Sequence, residues 1–214
     1  MTTTLTTLRG RLRIDLHDED NANYRWEDAT LNRHIERAVR DLALVAPRQQ
    51  KDTLQTTASS REIDVSGLAD LIEVEAIEYP AGQWPPEYAQ FSLFAQVLTL
   101  QGDRLPAGVE NVNIYWGSLH TVDGSGSTLP AGHEDLAVLG AAGYAAVEWA
   151  SFASNRANLA GTVAFDEYAR WGADALRRFA DQLSRLREVS RVRAVSLFTP
   201  ARPGPSRDIV NWES

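Results

Sequence analysis

The sequence predicts an α+β fold that is mainly α: a four-helix bundle with an inserted antiparallel β sub-domain and an extended C-terminal tail. Three observations lead there. Apolar residues recur at spacings of three and four in two stretches near the start of the chain and two beyond its middle. Between about Thr53 and Val122 the period falls to two, with turn signals between the alternating runs. The last stretch, "TPARPGPSRDIVNWES", places three prolines within six residues, which excludes a further helix or a central strand. The expected division is residues 1–50 and 130–195 for the helices, 51–125 for the β insertion and 196–214 for the tail.

Taken in order, a first helix runs from about Thr3 to Leu16, with Leu5, Leu8, Leu12 and Leu16 on one side. "HDEDNANY" is a polar loop. Asp28 then stands where a carboxylate could accept the free N–H groups of a second helix, Ala29 to Ala46. Leu31, Ile35, Ala38, Leu42 and Val45 form that helix's apolar stripe, and Pro47 stops it nearby. His34 is placed at the stripe's boundary. Tyr24 and Trp26 read as packing residues at the loop's entry into the helix.

Four to six short strands follow. Ile72, Val74 and Ala76 alternate with polar neighbours, as do Val112, Ile114 and Trp116. "DGSGSTLPAG" closes this section as a loop. A third helix is expected from about His133 to Asn155, where Ala141, Ala142, Gly143, Ala145 and Ala146 allow close approach of a neighbour. The fourth runs from about Val163 to Arg191, with Ala169, Gly172, Leu176, Phe179, Leu183 and Leu186 along one face. Two helix pairs on either side of a β block pack most simply as one bundle bearing an insertion.

Composition excludes several function classes. A net charge of −8 argues against a general nucleic-acid binder. The absence of cysteine excludes disulfides and thiolate metal sites. "MTTTLTTLRGRLRIDL" lacks the apolar segment of a secretory signal, and no run reaches the roughly 18 apolar residues of a membrane span. The expectation is a soluble intracellular product with no membrane partner. The charge is uneven: Arg170 to Arg207 carries +6 and the remainder −14. That basic segment reads either as a solvated helix face or as a surface for an acidic partner.

Motifs for chemistry are missing. Lys51 is the single lysine, so no Walker A loop exists, and "GSGSTL" does not fit G-x-G-x-x-G. "HDED" at His17 to Asp20 fails as a calcium loop because Ala29 stands at the twelfth position from Asp18. The four histidines fit no H-E-x-x-H pattern, and there is no G-x-S-x-G elbow. No catalytic residue, metal site or cofactor is expected. The informative excess is six tryptophans. Trp84 sits in the proline-rich turn "GQWPPEY". Trp212 lies in the tail, where a large aromatic is either a partner anchor or a residue folded back on the chain's own helices.

Several of these stretches share a resemblance. "YRWEDATLNRHIERAVRDLALVAP" resembles the second helix of head-to-tail adaptor (connector) proteins of tailed bacteriophages. "LPAGHEDLAVLGAAGYAAVEWASFASN" resembles their third helix and "FDEYARWGADALRRFADQLSRL" their fourth. The likeness covers most of Leu8 to Leu186. It implies a structural, non-enzymatic virion protein, made in the host cytoplasm and placed at the neck. There it would form a ring, usually of twelve subunits, beneath the portal protein. DNA would pass through the channel without sequence-specific binding, and a downstream neck or tail protein would follow. The C-terminal segment would dock on the portal through Arg202, Arg207, Ile209, Val210 and Trp212. Subunit or portal contacts are expected at Arg185, Arg187, Arg191 and Arg193, and tail-side contacts at Trp84 and Tyr88. Two alternatives stand beside this. One is a neck stopper or tail-completion protein of the same virion. The other is a small glycan-binding module or helical enzyme using Trp84, Tyr88, Tyr115 and Trp116.

Overall fold

A computed structural model of the chain describes residues 3–102, 105–154 and 163–197. The fold is α+β, with four helices and two small antiparallel sheets. Helices α1 (Leu5–Asp15) and α2 (Asp28–Ala43) precede six strands. These are β1 (Arg48–Gln55), β2 (Glu62–Asp64), β3 (Leu71–Glu78), β4 (Gln90–Phe94), β5 (Val97–Gln101) and β6 (Asn111–Ser118). Helices α3 (Ala131–Ser154) and α4 (Val163–Leu197) follow. The expected helices stand close to their predicted bounds, and α4 carries on six residues beyond Arg191.

Helix α1 begins where the Thr4 hydroxyl accepts the Thr7 N–H at 3.3 Å. The start of α2 differs from expectation. Asp28 is its first residue, Glu27 precedes it without a side-chain cap, and the Asp28 carboxylate serves Arg13 at 2.7 Å and Arg9 at 3.2 Å. An ion pair to α1 is charge-assisted, and it takes the oxygens that capping would have used.

The apolar stripes meet in one helical core. Leu8, Leu12 and Leu16 of α1 and its end pack with Leu31, Ile35, Ala38 and Leu42 of α2, and with Leu136, Ala141, Ala142 and Ala145 of α3. Helix α4 joins through Phe179 and packs chiefly along α3. α3 is therefore apolar on two faces. Ala141 and Ala145 belong to the core shared with α1 and α2, whereas Gly143 and Val147 meet Leu176 and Gly172 of α4. His34 is not a boundary residue: it is 3% exposed, in the seam between α2 and α3.

The β section has a core of its own. One sheet has the order β1-β6-β3 and the other β2-β5-β4, all pairs antiparallel. Ile63, Val65, Ile77, Leu98, Leu100, Val112, Ile114 and Trp116 fill the space between them. Val112, Ile114 and Trp116 follow the expected alternation. In β3 the register shifts between Leu71 and Glu73 and again between Val74 and Ala76, which sets Ile77 opposite Ile114 in the β core. A bulge inserts an extra residue and breaks period two locally. The β core and the helical core have no residue in common.

Candidate interaction surfaces

The end of the β1-β6-β3 sheet remote from the helices is built around Glu78. The chain enters β1 at Arg48, opposite Ser118, so Gln55, Asn111 and Glu78 mark the other end. Glu78 closes β3 with a buried carboxylate. One oxygen accepts the Gly82 N–H at 2.7 Å, and the other accepts the Asn113 amide at 2.9 Å and the Tyr115 hydroxyl at 3.0 Å. The Asn113 hydrogen bond first, and then the Gly82 N–H, hold this carboxyl below the usual carboxylate range. Lys51, the chain's single lysine, lies 3.9 Å from Glu78 and 5.0 Å from the centre of the Tyr115 ring. Its ammonium is held charged above its ordinary value, first by Tyr115.

These bonds clamp the loop between β3 and β4 at both ends. Tyr79 N–H donates to the Glu87 carbonyl at 2.9 Å, Ala89 N–H to Ile77 at 2.9 Å, and Ala81 N–H to Asn111 at 2.9 Å. The Tyr79 hydroxyl donates to Glu110. At the tip of the clamped loop Trp84 is 92% exposed, and Val109, in the neighbouring connection, is 71% exposed. An indole presented on a fixed loop loses little freedom when a partner covers it.

The other aromatics of the block are not presented in this way. Tyr88 is half-buried, with its ring 6.3 Å from that of Tyr115, and burial pushes its hydroxyl up. Trp116 is in the β core, and its indole N–H donates to Asp52 at 2.8 Å. Of the four residues named for a glycan platform, Trp84 alone is exposed; Tyr88 and Tyr115 are half-buried and Trp116 is buried. Tyr88 props the loop beside it. The section from Lys51 to Ser125 carries three basic and eleven acidic residues, so its charge equals the −8 of the whole chain.

The helical unit has its own charged features. Asp18, from the "HDED" run, is a buried carboxylate that pairs with Arg13 and accepts the Arg25 N–H at 2.7 Å. Arg13 also reaches the Trp26 carbonyl at 3.0 Å and lies 3.5 Å from the Tyr24 ring centre. Trp26 is in the helical core, whereas Tyr24 stays exposed and covers the guanidinium. This acidic run ties the α1–α2 corner together. Among the described residues no group of three or more His, Asp or Glu side chains could hold a metal ion. Tyr144 donates to Asp41 at 2.6 Å under the Arg37 guanidinium, and burial first, then Asp41, push its hydroxyl up to about 12.

On α4, Arg177 and Arg178 pair with Asp174. Arg187 is exposed, and Arg185 lines a groove against the start of α3. The side chains of Arg191 and Arg193 lie outside the described residues, as do Arg202, Arg207, Ile209, Val210 and Trp212. Sequence reasoning missed Glu78 and Val109. The acidic residue in "LIEVEAIEYP" reads as one polar position in an alternating strand, and its burial comes from Asn113, Tyr115 and the loop that returns at Gly82. No described helix is long and apolar enough to cross a membrane.

No protein-family model matches the chain, and no curated protein matches it. Among solved structures it is similar to a chain of the neck of an empty GTA particle computed with C6 symmetry. Identity is 19%, the match covers 79% of this chain and 88% of that chain, and the TM-score is 0.27.

Proposed function

We propose that this chain is a structural, non-enzymatic virion protein, a head-to-tail adaptor whose copies close into a ring beneath the portal and extend the DNA channel toward the tail. The observation that carries this reading is the construction of the molecule as two separately cored units with unlike surfaces. The β unit is acidic and ends in the clamped loop that presents Trp84. The helical unit carries seven arginines along α4. Closed head-to-tail symmetry requires two different patches on each subunit, and stacking in a neck requires two more. The segment from Arg170 to Arg207 suits an acidic ring above, with the C-terminal residues reaching the portal. Trp84 suits the component below. A body with excess negative charge suits a channel that DNA must pass, because cationic linings retain phosphates.

The test is mass. The purified chain, alone or mixed with its portal, is measured by native mass spectrometry. A closed ring supports the proposal, with twelve subunits as the expected number. A strict monomer that joins neither a ring nor a portal removes it.

A further inference from the structure

A groove of about 290 Å³ opens where the end of α1 meets the first turns of α4. Asp15, Leu16 and His17 line one side of it, and Glu167, Tyr168 and Trp171 the other. Leu16 is buried and gives the groove an apolar floor, while Trp171, 43% exposed, gives it an open aromatic wall. Tyr168 is already engaged: its hydroxyl accepts from Arg25, whose guanidinium lies 5.1 Å from the ring centre. The two carboxylates are not engaged. Among the described residues neither Asp15 nor Glu167 pairs with an arginine or lysine. The cations close by in the chain are committed elsewhere. Arg11 holds Glu134 at 2.9 Å and Asp135 at 3.6 Å, and Arg13 holds Asp18 and Asp28. Arg170, one turn beyond Glu167, is exposed and makes no ion pair with it. Burial first, and then the like charge of Asp135, hold the Asp15 carboxyl above its ordinary value; His17 opposes them with the smallest of the three effects.

We infer that this groove is the seat for an arginine side chain presented by a basic partner protein. A guanidinium lies flat on an indole and forks to a carboxylate, so one side chain meets both the open wall and the unpaired charge. Its methylenes lie on the leucine floor. The chain makes the same kind of contact internally, where Arg25 sits over Tyr168 and Trp149. Charge selects the source of the arginine. A second copy brings a further −8 to an acidic groove, whereas a basic partner is drawn to it. This goes beyond the adaptor reading and does not depend on it.

The probe is Nα-acetyl-arginine amide, whose only charge is its guanidinium, beside the uncharged isostere Nα-acetyl-citrulline amide. Both are titrated into the full chain at about pH 8, where an ordinary imidazole is neutral. The readout is the indole N–H resonance of Trp171, assigned by its loss in Trp171→Phe. The expected result is a saturable shift with the arginine probe and binding at least about tenfold weaker for the citrulline probe. In Asp15→Asn/Glu167→Gln, both surface positions, that preference should disappear. Equal responses to the two probes, no response to either, or a preference kept in the double variant overturns the inference. Sedimentation equilibrium tests the source. Self-association that excess arginine probe dissolves gives the seat to a second copy and overturns the assignment to a basic partner. An association state that the probe leaves unchanged supports it.

Discussion

Gly143 of α3 faces Leu176 of α4 so closely that a Cβ on the glycine would stand 2.8 Å from Leu176 Cγ and 3.1 Å from its backbone nitrogen. The two helices approach there without an intervening side chain. The replacement Gly143→Ala gains up to about 1 kcal/mol of helix propensity. It loses about 1–3 kcal/mol by overpacking against a backbone that cannot step aside. The expected outcome is a net loss, read as a lower urea midpoint with unchanged helical circular dichroism.

Trp84 separates surface contact from stability. Because the indole is 92% exposed, Trp84→Ala should leave the unfolding midpoint unchanged within about 0.5 kcal/mol. The adaptor proposal expects the same variant to lose attachment of the downstream neck or tail component in a reconstitution assay. Full attachment would remove Trp84 from that interface.

Glu78 should govern both the loop and part of the acid sensitivity of the β unit. Glu78→Ala leaves the Asn113 amide and the Gly82 N–H without their acceptor, a loss of about 1–3 kcal/mol for an unsatisfied buried donor. Hydrogen exchange at Gly82 should accelerate. In the native protein this carboxyl titrates below its unfolded value, so its contribution is full above the ordinary carboxylate range. It fades as pH falls through the folded value. Glu78→Gln should remove that part of the acid dependence, measured as unfolding midpoints from pH 7 down to pH 3.

His34 and His120 act at higher pH. Burial holds both imidazoles below their ordinary value; Glu148 opposes this at His34, while Arg33 and Arg37 reinforce it. The unfolded chain therefore binds protons first. Stability rises with pH between the depressed folded values and the ordinary histidine value near 6.5. Thermal midpoints should fall between pH 7 and pH 5, and His34→Gln should flatten part of that slope. A slope that His34→Gln leaves unchanged would show that His34 contributes nothing to it.

The arginines of α4 give a test in salt. Replacing Arg185, Arg187, Arg191 and Arg193 together by glutamine should weaken attachment to the portal. The deficit should shrink as ionic strength rises and screening removes the wild-type advantage. A deficit of constant size across salt would assign these residues a structural role instead.

Much of the architecture was legible in the sequence because its signals are local. The stripe from Leu31 to Leu42 and the alternation from Val112 to Trp116 each fix an element and its buried face without reference to the rest of the chain. What was not legible depends on partners far along the chain. Asp28 has the identity and position of a cap, yet Arg13 and Arg9 of α1 claim its oxygens. Trp116 was counted among candidate contact aromatics although its own alternation placed it with Ile114 in the core. Glu78 is buried because Asn113, Tyr115 and the Gly82 end of the following loop close over it, partners that no pattern in "EVEAIEYP" marks. The groove under Arg185 arises where α4 passes the start of α3, a crossing that neither helix's periodicity contains.

The passage between the two units is narrow. One connecting stretch lies between α2 and β1, the other between β6 and α3, and they meet at His120. Its Nε2 faces the Ala46 carbonyl at 3.1 Å and must carry the hydrogen, so Nδ1 accepts from the Thr128 hydroxyl at 3.2 Å. Pro47 lies against Gly117 so tightly that a Cβ there would stand 2.7 Å from its ring. The β unit is thus mounted on the helices like an arm on a bolted shoulder. The imidazole and the proline ring are therefore the contacts that fix how the β section joins the end of α2.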